Sequence, residues 1–408
     1  MKKYFFFALA VAGMLSSCSS DDIVAGGDVT PSADELMPIR IGMGQRLSTR
    51  GTGTVGGFDD ESDNKWYKQE VNVYMLHKDS MGLAVFDAEK NPTPIYENAV
   101  FQTPDGLVTG IATPKDQKIQ YYPTQKRFDF WGYRLDGAET ADPVLGTDSL
   151  TVEFKIDGSQ DVMVAKAVPT AADTLKLQEG GNAAGDRAFS AFAARWGVQP
   201  DLKFRHLLSR LTFDIVPGSM ATVDANTPVI VDSIKVISPS EGTLVIAATG
   251  DVRGEKQGII WNEESLDSLS LKQRKEGAGV ADSLVKLVSD SLAGKGHLED
   301  PLDPNSTFVP ETVRVGEALM VAPGLDSYEV IIYLRQPSLT TLGSPDTQDI
   351  AYSYKDVIKL NSGEPLKPGY SYKVNITLWG LSDIKVSTTL VGWIESDDVK
   401  PLTPEDLD

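Results

Sequence analysis

The chain contains one cysteine, Cys18, and only three histidines among its 408 residues. A single cysteine cannot form an internal disulfide, so the fold must be held together by hydrophobic cores and sheet hydrogen bonds. None of the histidines is spaced from another as zinc ligands are, and the acidic residues are spread along the chain. The sequence therefore predicts no metal site, no cofactor and no catalytic residue.

Positive charge is also scarce, because 58 acidic side chains stand against 38 basic ones and the formal net charge is -20. Phosphate binding needs basic density, so nucleic acid is not expected as a partner. Hydrophobic residues make up 41% and charged residues 24%, which is ordinary for a globular protein. The length is sufficient for two or three domains with sizeable cores.

Long apolar runs are missing, and the notable short one stands at the N terminus. Lys2 and Lys3 precede an apolar stretch over residues 4–15, which is too short to cross a bilayer as a helix. The next residues, Leu-Ser-Ser-Cys at 15–18, resemble the bacterial lipobox, in which small residues precede the acylated cysteine. A plain secretory signal with an incidental cysteine is the alternative. Because the single cysteine falls at this position, we predict a lipoprotein signal peptide over residues 1–17 and lipidation of Cys18.

Residues 18–37 are mostly small and polar and contain two glycines and a proline, which favours a flexible tether. At its start, Ser-Ser-Asp-Asp at residues 19–22 resembles the acidic export signal that surface lipoproteins of Bacteroidales carry beside the lipidated cysteine. Short acidic runs are common in flexible tethers as well. We expect a protein anchored to the outer membrane through its lipid and exposed at the cell surface.

From about residue 38 the pattern is β throughout, with short or alternating apolar runs bounded by Gly, Pro, Asn and Asp. Residues 185–196 and 266–292 are interpreted either as helices or as ordered surface insertions. Many short strands predict antiparallel β-sandwiches, divided into an N-terminal domain over residues 38–217 and a C-terminal domain over residues 218–408. The clearest predicted strands are residues 70–76, 127–133, 211–216, 330–334, 372–378 and 384–390.

Patterns that could carry chemistry are weak. His206 lies near Ser209, but no G-x-S-x-G turn accompanies the pair, so a packed or strand-end histidine is expected. The acidic run at residues 59–64 lacks the register of a calcium-binding EF-hand loop and indicates a solvated loop. Aromatic residues such as Trp66, Trp131, Trp379 and Trp393 alternate with polar neighbours, so we expect them to pack in cores rather than stack on sugars. An enzymatic function is not predicted.

Five segments of the mature chain form an ordered set of motifs: residues 121–133 (Tyr-Tyr-Pro, then Phe-Asp-Phe-Trp-Gly-Tyr), 160–165 (Gln-Asp-Val-Met-Val-Ala), 202–211 (ending His-Leu-Leu-Ser-Arg-Leu), 369–381 and 390–393. Each motif alone is weak, but their order and spacing extend over most of the mature chain. Together these segments resemble the fimbrillin lipoproteins of Bacteroidales. The resemblance implies an all-β protein with two tandem transthyretin-like antiparallel β-sandwich domains after a lipoprotein signal peptide.

The resemblance also implies a fimbrial subunit that assembles with other fimbrial subunits and adheres to a host or bacterial surface receptor. In polymerising fimbrillins an N-terminal strand fills a groove until an arginine-specific protease removes it. The vacated groove then accepts a strand of another subunit. Here the matching strand is residues 39–44, and Arg46 and Arg50 follow in a Gly/Thr-rich stretch suited to proteolysis. The open alternative is that strand and lipid both stay in place.

Two further features concern position in a fibre and modification. Residues 394–408 contain Pro401 and Pro404 and make a poor donor strand, which favours a tip or accessory subunit over a stalk subunit. Asp-Ser-apolar tripeptides resemble the O-glycosylation sites of exported Bacteroidales proteins. Ser268, Ser283 and Ser291 lie in a polar stretch and are the strongest candidates.

Two functions of other classes compete with the fimbrial interpretation. A glycan-binding surface lipoprotein of a polysaccharide-uptake system would need an exposed platform of aromatic rings. A glycan-cleaving enzyme would need two carboxylates that face each other across a cleft.

Overall fold

A computed structural model describes residues 36–45, 66–86, 95–124, 126–182, 187–274, 284–287, 290–303, 305–337, 349–381 and 383–391. Regular structure in these ranges is mainly β, which confirms the all-β prediction. The helices are short: α1 is Ala171–Glu179, α2 is Ala191–Arg195 and α3 is Met220–Val223. Among the described residues no helix has the length and apolar character needed to cross a membrane.

Strands β1 to β13 lie between residues 42 and 206. They are β1 Gly42–Gln45, β2 Trp66–Tyr67, β3 Glu70–His77, β4 Ala99–Gln102, β5 Asp105–Leu107, β6 Gly110–Ile111, β7 Thr113–Pro114, β8 Phe128–Arg134, β9 Glu139–Thr140, β10 Val144–Leu145, β11 Ser149–Lys155, β12 Met163–Lys166 and β13 Asp201–His206.

Strands β14 to β28 lie between residues 209 and 391. They are β14 Ser209–Pro217, β15 Ile230–Pro239, β16 Glu241–Ala248, β17 Gly258–Trp261, β18 Leu266–Ser270, β19 Lys272–Arg274, β20 Leu284–Lys286, β21 Asp290–Ser291, β22 Gly296–Leu298, β23 Phe308–Pro310, β24 Val313–Val321, β25 Tyr328–Pro337, β26 Asp349–Ile358, β27 Ser371–Leu378 and β28 Ile384–Val391.

Within the described ranges these strands form four larger sheets. The first has eight strands in the order β6-β1-β13-β12-β8-β3-β4-β7. A second contains β10-β11-β16-β17 with β9 beside β11, and a third contains β24-β14-β27-β28. The fourth contains β18-β15-β25-β26 with β21 beside β15. Most pairs are antiparallel, but β1 runs parallel to β13 and β14 runs parallel to β27.

The six strands predicted most clearly from the sequence are all present, as β3, β8, β14, β25, β27 and β28. Part of residues 185–196 is helical, namely α2, whereas the described part of residues 266–292 forms the short strands β18 to β21. Helix α1 was not predicted, although Thr170 and Asp173 form a capping box at its start. Its signal is local and lies in a polar sequence, where hydrophobic periodicity gives no indication.

The centre of the eight-stranded sheet is covered on both faces. All seven residues of β8 are buried, and successive side chains of a strand point to opposite faces. Phe128 and Phe130 belong to a smaller core that also contains residues of α1 and α2. Trp131 and Tyr133 belong to a larger core, shared with the other three large sheets.

Sheet pairing joins the two halves of the chain. Strand β11 pairs along its length with β16, and β14 pairs with β27 from Arg210↔Ser371 to Pro217↔Leu378. Both pairs bring together strands from either side of residue 217. The predicted division into domains at that residue stays a prediction.

Gly132 at the middle of β8 provides a test of this packing. A Cβ atom at this position would lie 2.8 Å from Cζ of Phe204 and 3.1 Å from Cδ1 of Leu202. We expect Gly132→Ala to lower the free energy of unfolding by about 1–3 kcal/mol, because both neighbours must shift in a dense core. Denaturant unfolding measures this change. Gly258→Ala is the control, since no atom lies within 4 Å of its added Cβ, and an equal loss there would contradict the packing argument.

Candidate functional site at the N-terminal strand

The N-terminal segment is inserted into the eight-stranded sheet rather than lying on its surface. Strand β1 is parallel to β13, with Gly42 opposite Asp201 and Met43 opposite Leu202. On its other side it is antiparallel to the two-residue strand β6. The first described residues of the chain therefore complete a sheet whose other members follow much later in the sequence.

Backbone hydrogen bonds hold the segment on both sides. Toward residues 112–122, the N–H of Ile39 donates to the carbonyl of Gln120 (2.8 Å), and the N–H groups of Tyr122 and Ala112 donate to the carbonyls of Met37 (3.0 Å) and Ile41 (2.9 Å). Toward β13, the N–H of Gly42 donates to the carbonyl of Pro200 (2.8 Å). These bonds satisfy backbone groups that an empty position would leave unpaired.

Alternate side chains of the segment enter the smaller core. Ile39, Ile41 and Met43 are 3%, 1% and 0% exposed, whereas Arg40 between them is exposed. This is the period-2 alternation of a strand with one buried face. Each such apolar side chain contributes about 1.5–3 kcal/mol when it is fully buried. The segment is therefore part of the core and not an appendage.

The side chain of Gln199 forms hydrogen bonds to the backbone of the segment. Its Nε2 donates to the carbonyl of Pro38 (3.0 Å), and its Oε1 accepts from the backbone N–H of Arg40 (3.3 Å) and from the hydroxyl of Tyr122 (3.3 Å). Burial raises the pKa of that Tyr122 hydroxyl, so it stays protonated and able to donate. The sequence reasoning did not find Gln199, because the residue carries no motif and its partners lie far away in the chain.

Two glycines let the segment approach its neighbours closely. A Cβ at Gly42 would lie 2.9 Å from Oδ1 of Asp201, and one at Gly44 would lie 3.0 Å from Cγ2 of Thr109. Any other segment that took this position would need small residues at the same two points.

The arrangement amounts to a seat for an extended segment, formed by β6, β13 and residues 119–122. Its chemistry is that of strand addition: backbone hydrogen bonds supply affinity, and pockets for alternate side chains supply selectivity. If residues 37–45 left, the seat would expose unpaired backbone edges and an apolar surface.

The structure describes two of the sites predicted from the sequence, and the others lie outside the described residues. Cys18, Arg46, Arg50 and Ser283 lie outside the described residues, as does the tail after residue 391. Ser268 and Ser291 are both exposed, and each precedes a buried leucine, Leu269 or Leu292. The structure does not bring these serines to the N-terminal strand.

His206 is a packed histidine at the end of β13, as predicted. Its Nδ1 lies 2.8 Å from Oδ2 of Asp161, and both residues are buried. Burial raises the pKa of the nearby Asp136 carboxyl, which pairs with Arg134 and accepts the backbone N–H of Asp161 (3.0 Å). Because this network is enclosed, its carboxylates do not face each other across an open cleft. The described residues contain no group of His, Cys, Asp and Glu that could hold a metal ion.

The expected core position is confirmed for Trp66 and Trp131, but it is wrong for Trp379, which is 40% exposed because it follows the end of β27 and lies over the surface at Gly218. Trp393 lies outside the described residues. Trp66 and Trp131 are fully buried. Trp261 packs edge-on against Phe154, with ring centroids 5.7 Å apart. Tyr74 and Tyr133 are stacked at 6.5 Å, but both are buried and so unable to receive a sugar.

The family model described as fimbrillin-like matches residues 61–393, which is most of the chain. The chain belongs to the fimbrillin-like family. This confirms the resemblance seen in the sequence motifs and indicates a fimbrial-type protein of the cell surface. No curated protein matches the chain.

Similar solved structures include two candidate cell adhesion proteins of Bacteroides. The one from Bacteroides ovatus ATCC 8483 has 12% identity and a TM-score of 0.43, and the match covers 89% of this fimbrillin-like chain and 100% of the other. The one from Bacteroides uniformis ATCC 8492 has 13% identity, a TM-score of 0.42 and the same coverage. The fimbrial anchor protein Mfa2 from Porphyromonas gingivalis has 10% identity and a TM-score of 0.30, with 87% and 99% covered.

Substitution of Ile41 tests how firmly the segment is seated. We expect Ile41→Ala to lower the free energy of unfolding by about 2–5 kcal/mol, because it leaves a cavity in the smaller core. Denaturant titration followed by tryptophan fluorescence measures the loss. The neighbouring variant Arg40→Ala should stay within about 0.5 kcal/mol, since that side chain is exposed. Equal effects of the two substitutions would show that the segment does not contribute to the core.

Proposed function

We propose that this fimbrillin-like protein is a fimbrial subunit that assembles by exchanging its N-terminal strand for a strand of another subunit. The observation that carries the proposal is the seating of residues 37–45, with Ile39, Ile41 and Met43 buried in the smaller core. Arg46 follows directly after β1 and Arg50 stands four residues further on. A cut after either arginine would separate the segment from the chain without cutting another described strand.

The seat defines the strand that would replace the segment. An incoming strand needs apolar side chains at the positions of Ile39, Ile41 and Met43, and small residues at those of Gly42 and Gly44. Its backbone would take over the hydrogen bonds to the carbonyls of Gln120 and Pro200. A strand out of register by one residue would turn its apolar side chains away from the core.

Export of the subunit as a lipoprotein belongs to the same proposal. Acylation of Cys18 would attach the precursor to the outer membrane and present it at the cell surface. Because Cys18 precedes Arg46 and Arg50, proteolysis at either arginine would release the chain from its lipid together with the strand. A chain that keeps both would serve as an anchor or a stand-alone surface protein.

Within a fibre, a tip or accessory position is proposed over a stalk position. The support is the composition of residues 394–408, whose two prolines disfavour a donor strand. A subunit that accepts a strand but does not donate one ends a fibre. Adhesion to a host or bacterial surface receptor is the function that such a position serves.

Proteolysis tests strand exchange directly. We expect an arginine-specific protease to produce a chain that begins at Leu47 or Gly51, as read by mass spectrometry. The cut chain should bind a labelled synthetic peptide of residues 37–45 in fluorescence anisotropy, whereas the same peptide with Ile41→Asp should bind at least tenfold more weakly because its charge would be buried.

The uncut double variant Arg46→Ala/Arg50→Ala is the matched control and should not take up the peptide. Surface protein recovered solely in a form that begins at acylated Cys18 would contradict cleavage. A cut chain that ignores the peptide would contradict strand exchange.

O-glycosylation is proposed at Ser268 and Ser291, whose exposure leaves the hydroxyls accessible, and at Ser283. In protein isolated from cells that make it naturally, Ser268→Ala should lower the intact mass by one glycan in addition to the lost oxygen. Ser233→Ala is the control, because that copy of the tripeptide is half-buried in β15. An intact mass equal to that of the bare polypeptide would refute the modification.

A further inference from the structure

A cavity of about 480 Å³ lies away from the seat of the N-terminal strand. Its walls come from the turn after β3, the start of β8, the end of β12 and the turn after β16. The volume is within the range of small-molecule sites in proteins, about 300–1,000 Å³. Its lining contains no residue of residues 37–45 or of β13.

Positive charge is in excess around this cavity. Four cationic side chains line it, from Lys78, Arg127, Lys166 and Arg253. Two carboxylates accompany them, so two positive charges remain in a chain whose net charge is -20. The cationic lining attracts anions into this cavity, although the net negative charge of the chain repels them from most of its surface.

Neither carboxylate is available to the surplus cations. Asp129 is shared, since its Oδ1 lies 3.0 Å from Nζ of Lys78 and its Oδ2 lies 3.3 Å from Nζ of Lys166. Asp251 faces its own turn, where its oxygens accept backbone N–H groups of residues 254–256 at 2.7–2.9 Å. One carboxylate therefore serves two ammonium groups.

Lys166 is the most enclosed of the four cations, with its side chain 4% exposed. Its Nζ lies 4.0 Å from the centre of the Trp131 ring and donates to the carbonyl of Asp251. Burial lowers the pKa of Lys166, and the nearby Lys78 ammonium adds to the effect, while Asp129 opposes it. A buried ammonium that is only partly neutralised is costly, and an added anion would offset that cost.

The other three cations are less enclosed than Lys166. Lys78 is partly buried and uses one of its three donors on Asp129. Arg127 donates to the carbonyl of Asp79 (3.0 Å), which holds its guanidinium against the turn. Arg253 is exposed and makes no hydrogen bond or ion pair with the described residues. Its guanidinium is thus available to an incoming group.

We propose that this cavity binds the oxyanion of a small molecule, with an acidic monosaccharide as its carrier. Ammonium and guanidinium groups form strong charge-assisted hydrogen bonds to carboxylate, sulfate and phosphate oxygens. Lys78 and Arg253 would contact the oxyanion, and Lys166 would support it from the enclosed end. The remaining volume leaves room for a sugar ring. The site does not depend on strand exchange, because it shares no residue with the seat.

Calorimetric titration of the full chain tests this at constant ionic strength with three probes: sodium glucuronate, sodium sulfate and glucose. Glucuronate and sulfate should bind saturably, whereas glucose, which lacks the charge, should not. Arg253→Ala should weaken binding by about tenfold, the loss expected for one charge-assisted hydrogen bond. Lys359→Ala removes the same charge at an exposed position outside the cavity and should leave the affinity within about twofold.

Arg253→Ala is the decisive variant, because its exposed side chain makes no hydrogen bond or ion pair with the described residues and its loss should not affect folding. Lys78→Ala should weaken binding to a similar degree, with folding checked by the thermal unfolding midpoint. Absence of saturable binding for both anions would overturn the proposal, as would unchanged affinity in Arg253→Ala. Binding of sulfate without glucuronate would support the oxyanion site and overturn the acidic sugar as its carrier.

Discussion

Burial of the eight-stranded sheet on both faces is the constraint around which the rest of the structure is arranged. Strand β8 has no exposed residue, and its side chains alternate between the smaller and the larger core. A sheet with two apolar faces needs two covering layers. The helices α1 and α2 contribute to one core, and strands from both halves of the chain contribute to the other. The interleaving of the halves follows from this need.

The N-terminal strand helps to complete the core that covers one face of this sheet. Ile39, Ile41 and Met43 contribute to the smaller core, so that core is incomplete without a segment in the seat. Yet the segment lies beside a two-residue strand, and the side chain of Gln199 forms hydrogen bonds to its backbone. It is therefore needed for packing and is also separable, because it precedes the other described strands. Either its retention or its replacement by an equivalent strand would satisfy the core.

The positively charged cavity also depends on the eight-stranded sheet, which positions some of its charged residues. Lys166 and Asp129 come from neighbouring strands, β12 and β8, and the Trp131 ring beneath Lys166 belongs to the doubly packed strand. Rigid strands thus hold the two charges in place. The turns after β3 and β16 supply Lys78 and Arg253, and Arg127 directly precedes β8. These three cations lie outside the strands, where side chains can adjust to a ligand.

Local patterns in the sequence were sufficient for the six clearest strands and for the family. Alternation along residues 70–76 or 384–390 reports burial one residue at a time, so strand positions follow from short windows. The residues at 15–18 that resemble a lipobox and the motif ending His-Leu-Leu-Ser-Arg-Leu are likewise contiguous. Helix α1 was not predicted, because its capping box lies in a polar stretch without hydrophobic periodicity.

Which strands pair and which side chains come together was decided by the tertiary structure. The sequence does not show that β1 lies parallel to β13, that β14 pairs with β27, or that Gln199 clasps Pro38. Nor does it show that Lys78, Lys166 and Arg253 surround one cavity. The reason is physical: closing a long loop costs little more than closing a shorter one, so distance along the chain hardly restricts which strands meet. Packing of complementary faces makes that choice, and it exists only when the whole chain is folded.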